Sequence, residues 1–515
     1  MKRQRMAVKR TCGPIDAPHQ PYARLKKATV HRGASVAGLL EKCEGPQRTA
    51  TNVYEKPRIL VRSKAACPQR RTALGLPNIL ASRKGADMQT MYQKMDDAEL
   101  ASALADLKAQ VAEVKARGLK LDMARGKPSP EQVDISRPML DLLSSSADLT
   151  DEGVDCSNYG CFEGIPSARK LAGEFLGVPA EQTIVLGSSS LNIMQDVIVH
   201  YWEKGVPDHT PWHKLEGVKW LCPAPGYDRH FGLTEDLGIQ NIPVRMTETG
   251  PDMDEVERLV AADPSIKGMF CVPKYSNPTG VTYSDESVRR LATMECAAPD
   301  FRIVWDDAYA VHDFGEKPEK LANIFDFARE AGNEDRILAV ASTSKITFPG
   351  AGIAFFGSSP SNVAEVASTL KVGLISANKL NQLMHVRFLP TLDAVREHME
   401  RHAEFLRPRF ACVQSKLEEG LGGTGCATWT HPNGGYFVSF DGPEGSAKRV
   451  GALCKEMGVT MTPAGATWPY GEDPRDTNIR IAPSYPSVEE LSAALDVLVL
   501  AVKLVSAELA SEERA

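Results

Sequence analysis

Short runs of β-branched and apolar residues alternate with longer amphipathic stretches from about residue 96 onward, and this alternation is the strongest constraint on the fold. Six of the runs predict buried strands, at 183–186, 218–222, 268–272, 302–305, 337–341 and 352–356. Strands that alternate with helices in this way are typical of α/β proteins with a mostly parallel sheet. Open sheets of this kind bind ligands at the carboxyl ends of their strands, so the residues that follow these runs are the first candidates for chemistry.

The two ends of the chain differ from this middle part. Residues 1–90 hold 19 Lys and Arg against 5 Asp and Glu and show no sustained periodicity, which predicts a basic, disordered extension. Residues 391–515 predict a smaller α+β domain, with a long charged helix over 392–420, a Gly-rich hairpin-like stretch over 433–440 and a C-terminal helix. A chain of 515 residues is long enough for such a division.

Composition also limits the compartment and the partners. An Arg-rich, acid-poor leader is typical of an organelle transit peptide, although a solvated tail or a mispredicted start codon would look the same, so a cytoplasmic or organellar protein is expected, not a secreted one. The 11 cysteines form no C-x-x-C pair and no zinc-spaced cluster, which favours reduced thiols and no metal. The apolar run 497–502 is too short to span a bilayer. This run predicts no membrane partner. No recognition motif follows the basic leader, so a nucleic acid is not an expected partner either.

Four motifs follow the predicted strands. Gly-Ser-Ser-Ser at 187–190 leads into a helix, where backbone N–H groups favour an anion such as phosphate, although a serine N-cap is the commoner use. Asn-Pro-Thr-Gly at 277–280 is a standard turn composition, and Asp-Asp-Ala-Tyr at 306–309 could simply cap the next segment. Ser-Thr-Ser-Lys at 342–345 ends in a lysine that alone would be read as a surface charge. Their joint order along one sheet edge indicates a functional site.

In this order the motifs resemble those of fold-type I pyridoxal-phosphate (PLP) aminotransferases. Ala-Arg-Gly-Lys-Pro-Ser at 124–129, Pro-Gly-Tyr-Asp-Arg-His at 225–230 and Ser-Lys-Ile-Thr-Phe-Pro-Gly-Ala-Gly at 344–352 resemble the bacterial-type aspartate aminotransferase subgroup. The resemblance covers about residues 95–510. It implies a large PLP-binding domain over 151–390 with a mostly parallel, seven-stranded sheet, and an N-terminal arm over 91–150 that joins the smaller domain.

The resemblance implies roles for the residues that match. Lys345 would hold PLP as a Schiff base and then act as the catalytic base, and Asp306 would pair with the pyridinium nitrogen. Asn277 and Tyr309 would hydrogen-bond the ring 3-oxygen, and Tyr227 would stack on the ring. The implied phosphate ligands are Ser189, Ser190, Ser342, Ser344 and, from the neighbouring subunit of a homodimer, Tyr159. Many relatives carry a further arginine shortly after the lysine, but Gly-Ala-Gly-Ile at 350–353 offers none. Hydroxyls, backbone and the helix dipole, or another basic residue, would have to replace it.

Substrate contacts are implied in the same way. Arg480, in Asn-Ile-Arg-Ile-Ala at 478–482, matches the family arginine that binds the α-carboxylate, a contact suited to a planar fork; the alternative is a surface ion pair. A dicarboxylic substrate needs a second cation, because a buried unpaired carboxylate is costly. Lys379, supplied by the partner subunit, is one candidate, and Arg125 and Lys127 are its rivals; the alternative is that all three are structural or solvated.

The expected activity is transfer of an amino group from an L-amino acid, aspartate first, to 2-oxoglutarate by a ping-pong mechanism. Transamination of alanine and glyoxylate or of aromatic amino acids is an alternative, because a few side-chain contacts decide the substrate. A decarboxylase or lyase on the same fold would release a different product. A PLP-binding sensor without catalysis would need a DNA-binding module, and residues 1–90 show no helical periodicity to build one.

Overall fold

The computed structural model describes residues 89–515. All but the last two residues of the predicted extension, and the transit-peptide hypothesis with it, lie outside the described residues. No helix in the described part of the chain is long and apolar enough to cross a membrane.

α-Helices and β-strands occur throughout the described part of the chain. The helices are α1 (Asp97–Ala116), α2 (Pro130–Asp134), α3 (Pro166–Leu176), α4 (Ser190–Lys204), α5 (Asp228–Asp236), α6 (Met253–Ala262), α7 (Asp285–Thr293), α8 (Ile324–Glu330), α9 (Pro360–Gly373), α10 (Lys379–Phe388), α11 (Leu392–Leu421), α12 (Ala447–Glu456) and α13 (Val488–Glu512). The strands are β1 (Leu121–Asp122), β2 (Thr150–Asp151), β3 (Val154–Asp155), β4 (Thr183–Leu186), β5 (Lys219–Ala224), β6 (Gln240–Thr247), β7 (Gly250–Pro251), β8 (Ile266–Cys271), β9 (Arg302–Asp306), β10 (Ile337–Ser342), β11 (Ala354–Gly357), β12 (Thr428–Trp429), β13 (Val438–Asp441), β14 (Val459–Thr460) and β15 (Asn478–Ile481).

The central sheet has the strand order β4-β11-β10-β9-β8-β5-β6-β7. Strand β11 is antiparallel to both of its neighbours, and the two-residue β7 is antiparallel to β6, whereas the other neighbours are parallel. Because β11 opposes both β10 and β4, those two strands run in the same direction. The carboxyl ends of β4, β8, β9 and β10 therefore lie at one edge. The mostly parallel sheet is confirmed, with β7 as a short addition to the seven strands expected.

Strand β6 was missed by the sequence prediction, and Pro243 is the reason. A proline cannot donate to the hydrogen-bond ladder, so it argues against a strand in the middle of a sheet. In the structure Pro243 pairs in register with Cys222 of β5, while β7 on the other side reaches only Met246 and Thr247. At Pro243 the strand is therefore an edge strand, where a proline is tolerated.

Helices cover both faces of the sheet with apolar cores. Helices α3, α6, α7, α8 and α10 pack on one face, around residues such as Leu171, Val256 and Phe325. Helices α4, α5 and α9 cover the other face, where Trp212 and Trp220 lie among the largest fully buried side chains. Close packing on both faces makes the sheet a rigid support for the loops at its edge.

A third core is formed by α1, α11, α12 and α13 with the three-stranded sheet β12-β13-β15. Strand β1, which follows α1, pairs in parallel with β14, and this ties the start of the described chain to its C-terminal part. The predicted long charged helix is α11, and the predicted hairpin-like stretch leads into β13. The domain limits at residues 150 and 390 stay a prediction.

Candidate active site

A cavity of about 260 Å³ opens at the sheet edge where β4, β8, β9 and β10 end. Its walls come from six separate parts of the chain, which include all four motifs that follow the predicted strands. Ten residues predicted to bind cofactor or substrate line it: Lys127, Ser189, Ser190, Tyr227, Asn277, Asp306, Tyr309, Ser342, Ser344 and Lys345. The structure thus brings most of the predicted site together in one place.

Asp306, the last residue of β9, is 3% exposed and is held by a histidine. His230 Nε2 donates to Asp306 Oδ2 over 3.0 Å, and the imidazole stacks on Phe270 at 4.7 Å between ring centroids. The other carboxylate oxygen, Oδ1, is buried without a hydrogen-bond partner. His230 was missed as a site residue, although it stands three positions after Tyr227, a spacing that puts two side chains on one face of a helix.

Lys345 lies in a short 3-10 turn, Thr343–Lys345, directly after β10. Its Nζ is 4.8 Å from the ring centroid of Tyr309. Burial raises the pKa of Tyr309, so this phenol keeps its proton and is a hydrogen-bond donor. Ser344 Oγ donates to the carbonyl of Ser188 over 2.5 Å, which fastens the lysine loop to the serine turn after β4.

The serine turn leaves hydroxyls free for a ligand. Ser189 is the N-cap residue of α4, but its side chain makes no capping hydrogen bond. The hydroxyls and the first N–H groups of α4 are therefore arranged for an anion. Among residues 89–515, the cationic side chains that line the cavity are Lys127 and Lys345, and no arginine is among them.

Arg480 on β15 is joined to the cavity through Asn277. Its NH1 donates to Asn277 Oδ1 over 3.3 Å and to Asp228 Oδ1 over 3.1 Å, and its guanidinium lies 4.9 Å from the ring centroid of Phe437. The side chain of Arg480 is only 10% exposed and its Nε has no partner, so the surface ion pair considered as an alternative does not describe it. Asn277 Oδ1 is engaged by the arginine, which leaves the Asn277 amide NH₂ to face a ligand.

Three predicted residues are not brought to the cavity of this chain. Tyr159 is 78% exposed, and Arg125 pairs with Asp122 at 2.8 Å. Lys379 is 3% exposed, and its Nζ donates to the carbonyls of Asp155 and Tyr159 over 2.7 and 3.1 Å. Lys379 thus stabilises the 155–159 loop. This geometry does not support its expected contact with a substrate carboxylate. The spacing from Lys345 could not reveal which way the first turn of α10 faces.

The residues present fit PLP. The unpartnered Oδ1 of Asp306 is an acceptor for a protonated ring nitrogen, the serine turn suits a phosphate, and Lys345 supplies an amine in the same cavity. Within the described range, no group of three or more His, Cys, Asp or Glu side chains is arranged to hold a metal ion.

This combination of sheet topology and cavity defines a fold-type I aminotransferase. The family model for aspartate aminotransferase matches residues 95–514. An aspartate aminotransferase of Corynebacterium glutamicum is 46% identical over 404 residues, which cover 78% of this chain and 93% of that protein. The crystal structure of an aspartate transaminase from C. glutamicum aligns with a TM-score of 0.80 at 44% identity, over 82% of this chain and 100% of the other. The chain belongs to the aspartate aminotransferase family.

More distant structures support the fold alone. LysN, an α-aminoadipate aminotransferase from Thermus thermophilus that was crystallised with N-(5'-phosphopyridoxyl)-L-leucine, has a TM-score of 0.62 at 23% identity, over 78% of this chain and 97% of LysN. The family, the fold class and the aminotransferase activity expected from the sequence are confirmed. Members of the family use PLP and act on amino acids and 2-oxo acids.

Proposed function

We propose that the protein transfers the amino group of L-aspartate to 2-oxoglutarate in two half-reactions, with pyridoxal 5'-phosphate bound at Lys345. The observation that carries the proposal is the buried, unpartnered Oδ1 of Asp306 in the same cavity as Lys345. A buried carboxylate oxygen without a partner is costly, so a ligand that presents a positively charged N–H there is favoured. The protonated ring nitrogen of PLP is such a group.

When bound, PLP supplies a ring that takes up the electron pair left when the substrate Cα loses its proton. The residues of the chain supply the rest. Lys345 Nζ removes the proton at Cα and holds it for return. Asp306, oriented by His230, would stabilise the positive charge of the protonated ring nitrogen. With PLP bound, Asn277 and Tyr309 would donate to the ring 3-oxygen, and Tyr227 would pack against the ring face.

The phosphate is bound mainly by neutral donors. Ser189 and Ser190 offer hydroxyls, and the start of α4 adds its N–H groups and its dipole. Ser342 donates to Ser344 Oγ and Ser344 donates to the Ser188 carbonyl, so these two hydroxyls would have to rotate to donate to the phosphate. Tyr159 reaches the phosphate of a second subunit in a homodimer. Val372 and Ile375 are 92% and 72% exposed, and we place part of the dimer contact at these two apolar side chains.

Arg480 and Lys127 bind the two carboxylates of the substrate. Asp228 and Asn277 hold NH1 of Arg480, so the Nε edge of the guanidinium is left for the α-carboxylate. Lys127 lines the cavity with its Nζ 4.3 Å from the ring centroid of Tyr485, which makes it the candidate for the distal carboxylate. The compartment, cytoplasmic or organellar, stays a prediction.

Borohydride reduction of the PLP-loaded protein, followed by peptide mapping, tests the cofactor site. The label is expected on Lys345 in the wild type and should be absent from Lys345→Ala. Oxo-acid formation from a panel of amino acids tests the substrate, with aspartate expected to exceed alanine and the aromatic amino acids in kcat/KM. A label on another lysine, or a preference for alanine, would contradict the corresponding part of the proposal.

A further inference from the structure

The backbone of the lysine loop is bonded by side chains from outside the central sheet. His398 Nε2 faces the carbonyl of Ile346 at 2.9 Å, and Ser136 Oγ donates to the same carbonyl over 3.4 Å. Tyr436 Oη donates to the carbonyl of Lys345 itself over 3.4 Å. A carbonyl oxygen only accepts, so His398 Nε2 carries a proton and donates it.

Two more buried side chains, His402 and Gln132, lie next to His398. His402 Nε2 is 3.2 Å from His398 Nε2, and Gln132 Nε2 is 3.3 Å from His402 Nδ1. Gln132, Ser136, His398 and His402, named here the histidine cluster, are each at most 5% exposed. The first two belong to the segment around α2 and the other two to α11, so the cluster joins distant parts of the chain at one point under the lysine loop.

The cluster carries no charge at neutral pH. Burial lowers the pKa of His398, and burial together with the neighbouring His398 lowers the pKa of His402 to about 3. Neutral imidazoles can hold a carbonyl without adding a positive charge that would repel a protonated Lys345. None of the four side chains lines the cavity, so any effect on the chemistry must pass through the backbone at residues 345 and 346.

We propose that the histidine cluster positions Lys345: by bonding the carbonyl of Ile346 it fixes the turn from which the lysine side chain projects, and so sets the approach of Nζ to the cofactor. The amides of Ile346 and Thr347 both donate to the carbonyl of Thr343, over 2.9 and 2.8 Å, and these two bonds close the turn. When the Ile346 carbonyl is released, the turn opens more often. The proposal rests on the assignment of Lys345 as the cofactor lysine.

The test compares His398→Leu with His398→Gln. Leucine fills space without a donor, whereas glutamine presents an N–H that can reach the Ile346 carbonyl. The first measurement is hydrogen exchange in the cofactor-free protein, at the amides of Ile346 and Thr347, with the amides of α13 as an internal reference. Loss of one buried donor should speed exchange in the turn of His398→Leu by on the order of tenfold, and His398→Gln should stay close to the wild type.

The second measurement is the rate at which cofactor-free protein binds PLP covalently, followed by the visible absorbance of the product. In His398→Leu the rate of covalent PLP binding should fall by a factor similar to the rise in its exchange rate. In His398→Gln this rate should be close to that of the wild type. His200→Leu is the matched control, because His200 is also a mostly buried histidine, bonded to Glu365 at 3.0 Å, but it does not contact the lysine loop. It should lower the melting temperature and leave both measurements on the loop unchanged.

Unchanged exchange and unchanged PLP binding in His398→Leu, with only a lower melting temperature, would overturn the proposal, and so would equal acceleration in α13. If His398→Leu does not fold, Ser136→Ala removes the weaker donor to the same carbonyl and should raise exchange in the turn by about threefold. A wild type that binds PLP at another lysine would refute the proposed function. The exchange measurement, made without cofactor, would still decide whether the cluster orders the turn.

Discussion

Replacing Asp306 by asparagine should slow the removal of the substrate Cα proton by on the order of 10²- to 10⁴-fold. The side chain is 3% exposed, and asparagine preserves both its size and an oxygen that can accept from His230. What is lost is the negative charge at the unpartnered Oδ1. Removal of one member of a buried charge pair costs about 3–5 kcal/mol, and each 1.4 kcal/mol of barrier is tenfold in rate.

The neighbouring Asp307 provides the matched control. Burial raises the pKa of Asp307 to about 7, and its side chain does not line the cavity, so at neutral pH Asp307→Asn removes a carboxyl that is already partly protonated. Its effect on the rate should stay below about tenfold. Single turnovers of the PLP-loaded protein with aspartate, repeated with α-deuterated aspartate, isolate the proton-transfer step. Equal rates in Asp306→Asn and the wild type, or a larger loss in Asp307→Asn, would refute the reasoning.

Lys127→Met should raise the free-energy barrier that kcat/KM measures for aspartate by about 2–3 kcal/mol and leave kcat/KM for alanine unchanged. Equal losses for both substrates would show a structural role. Lys379→Met should leave this selectivity intact but lower the free energy of unfolding by about 1–3 kcal/mol, since the carbonyls of Asp155 and Tyr159 lose the donor that fixes their loop. A selective loss of aspartate activity would contradict the assignment. Folding lowers the pKa of His402 from 6.5 to about 3, because the buried imidazole resists protonation. Its contribution to the free energy of unfolding is therefore complete above about pH 6.5 and is lost as the pH falls toward 3, by about 1.4 kcal/mol per pH unit. Melting temperatures of His402→Gln across this range should fall less steeply than those of the wild type, and parallel curves would show that another group titrates.

The cofactor half of the site could be predicted because parallel strands end at one edge. Once β9 and β10 are recognised as strands of one sheet, Asp306 and Lys345 must lie at the same edge, whatever the details of packing. The resemblance then adds the roles. The substrate half was predicted less well, because it depends on where long side chains point. Arg480 and Lys379 are both cations at plausible places in the sequence, yet one faces Asn277 and the other faces backbone carbonyls.

The histidine cluster shows the other limit of sequence reasoning. His398 and His402 are four residues apart on a helix, so the sequence places them on one face of α11, but a helix face alone does not reveal what it contacts. Their partners Gln132 and Ser136 lie more than 260 residues earlier. The motif around Lys345 therefore predicts the side chain to which we assign the chemistry, while the groups that bond its backbone come from segments without any motif. The precision of a catalytic lysine depends on both, because a side chain projects only as accurately as the turn that carries it is held.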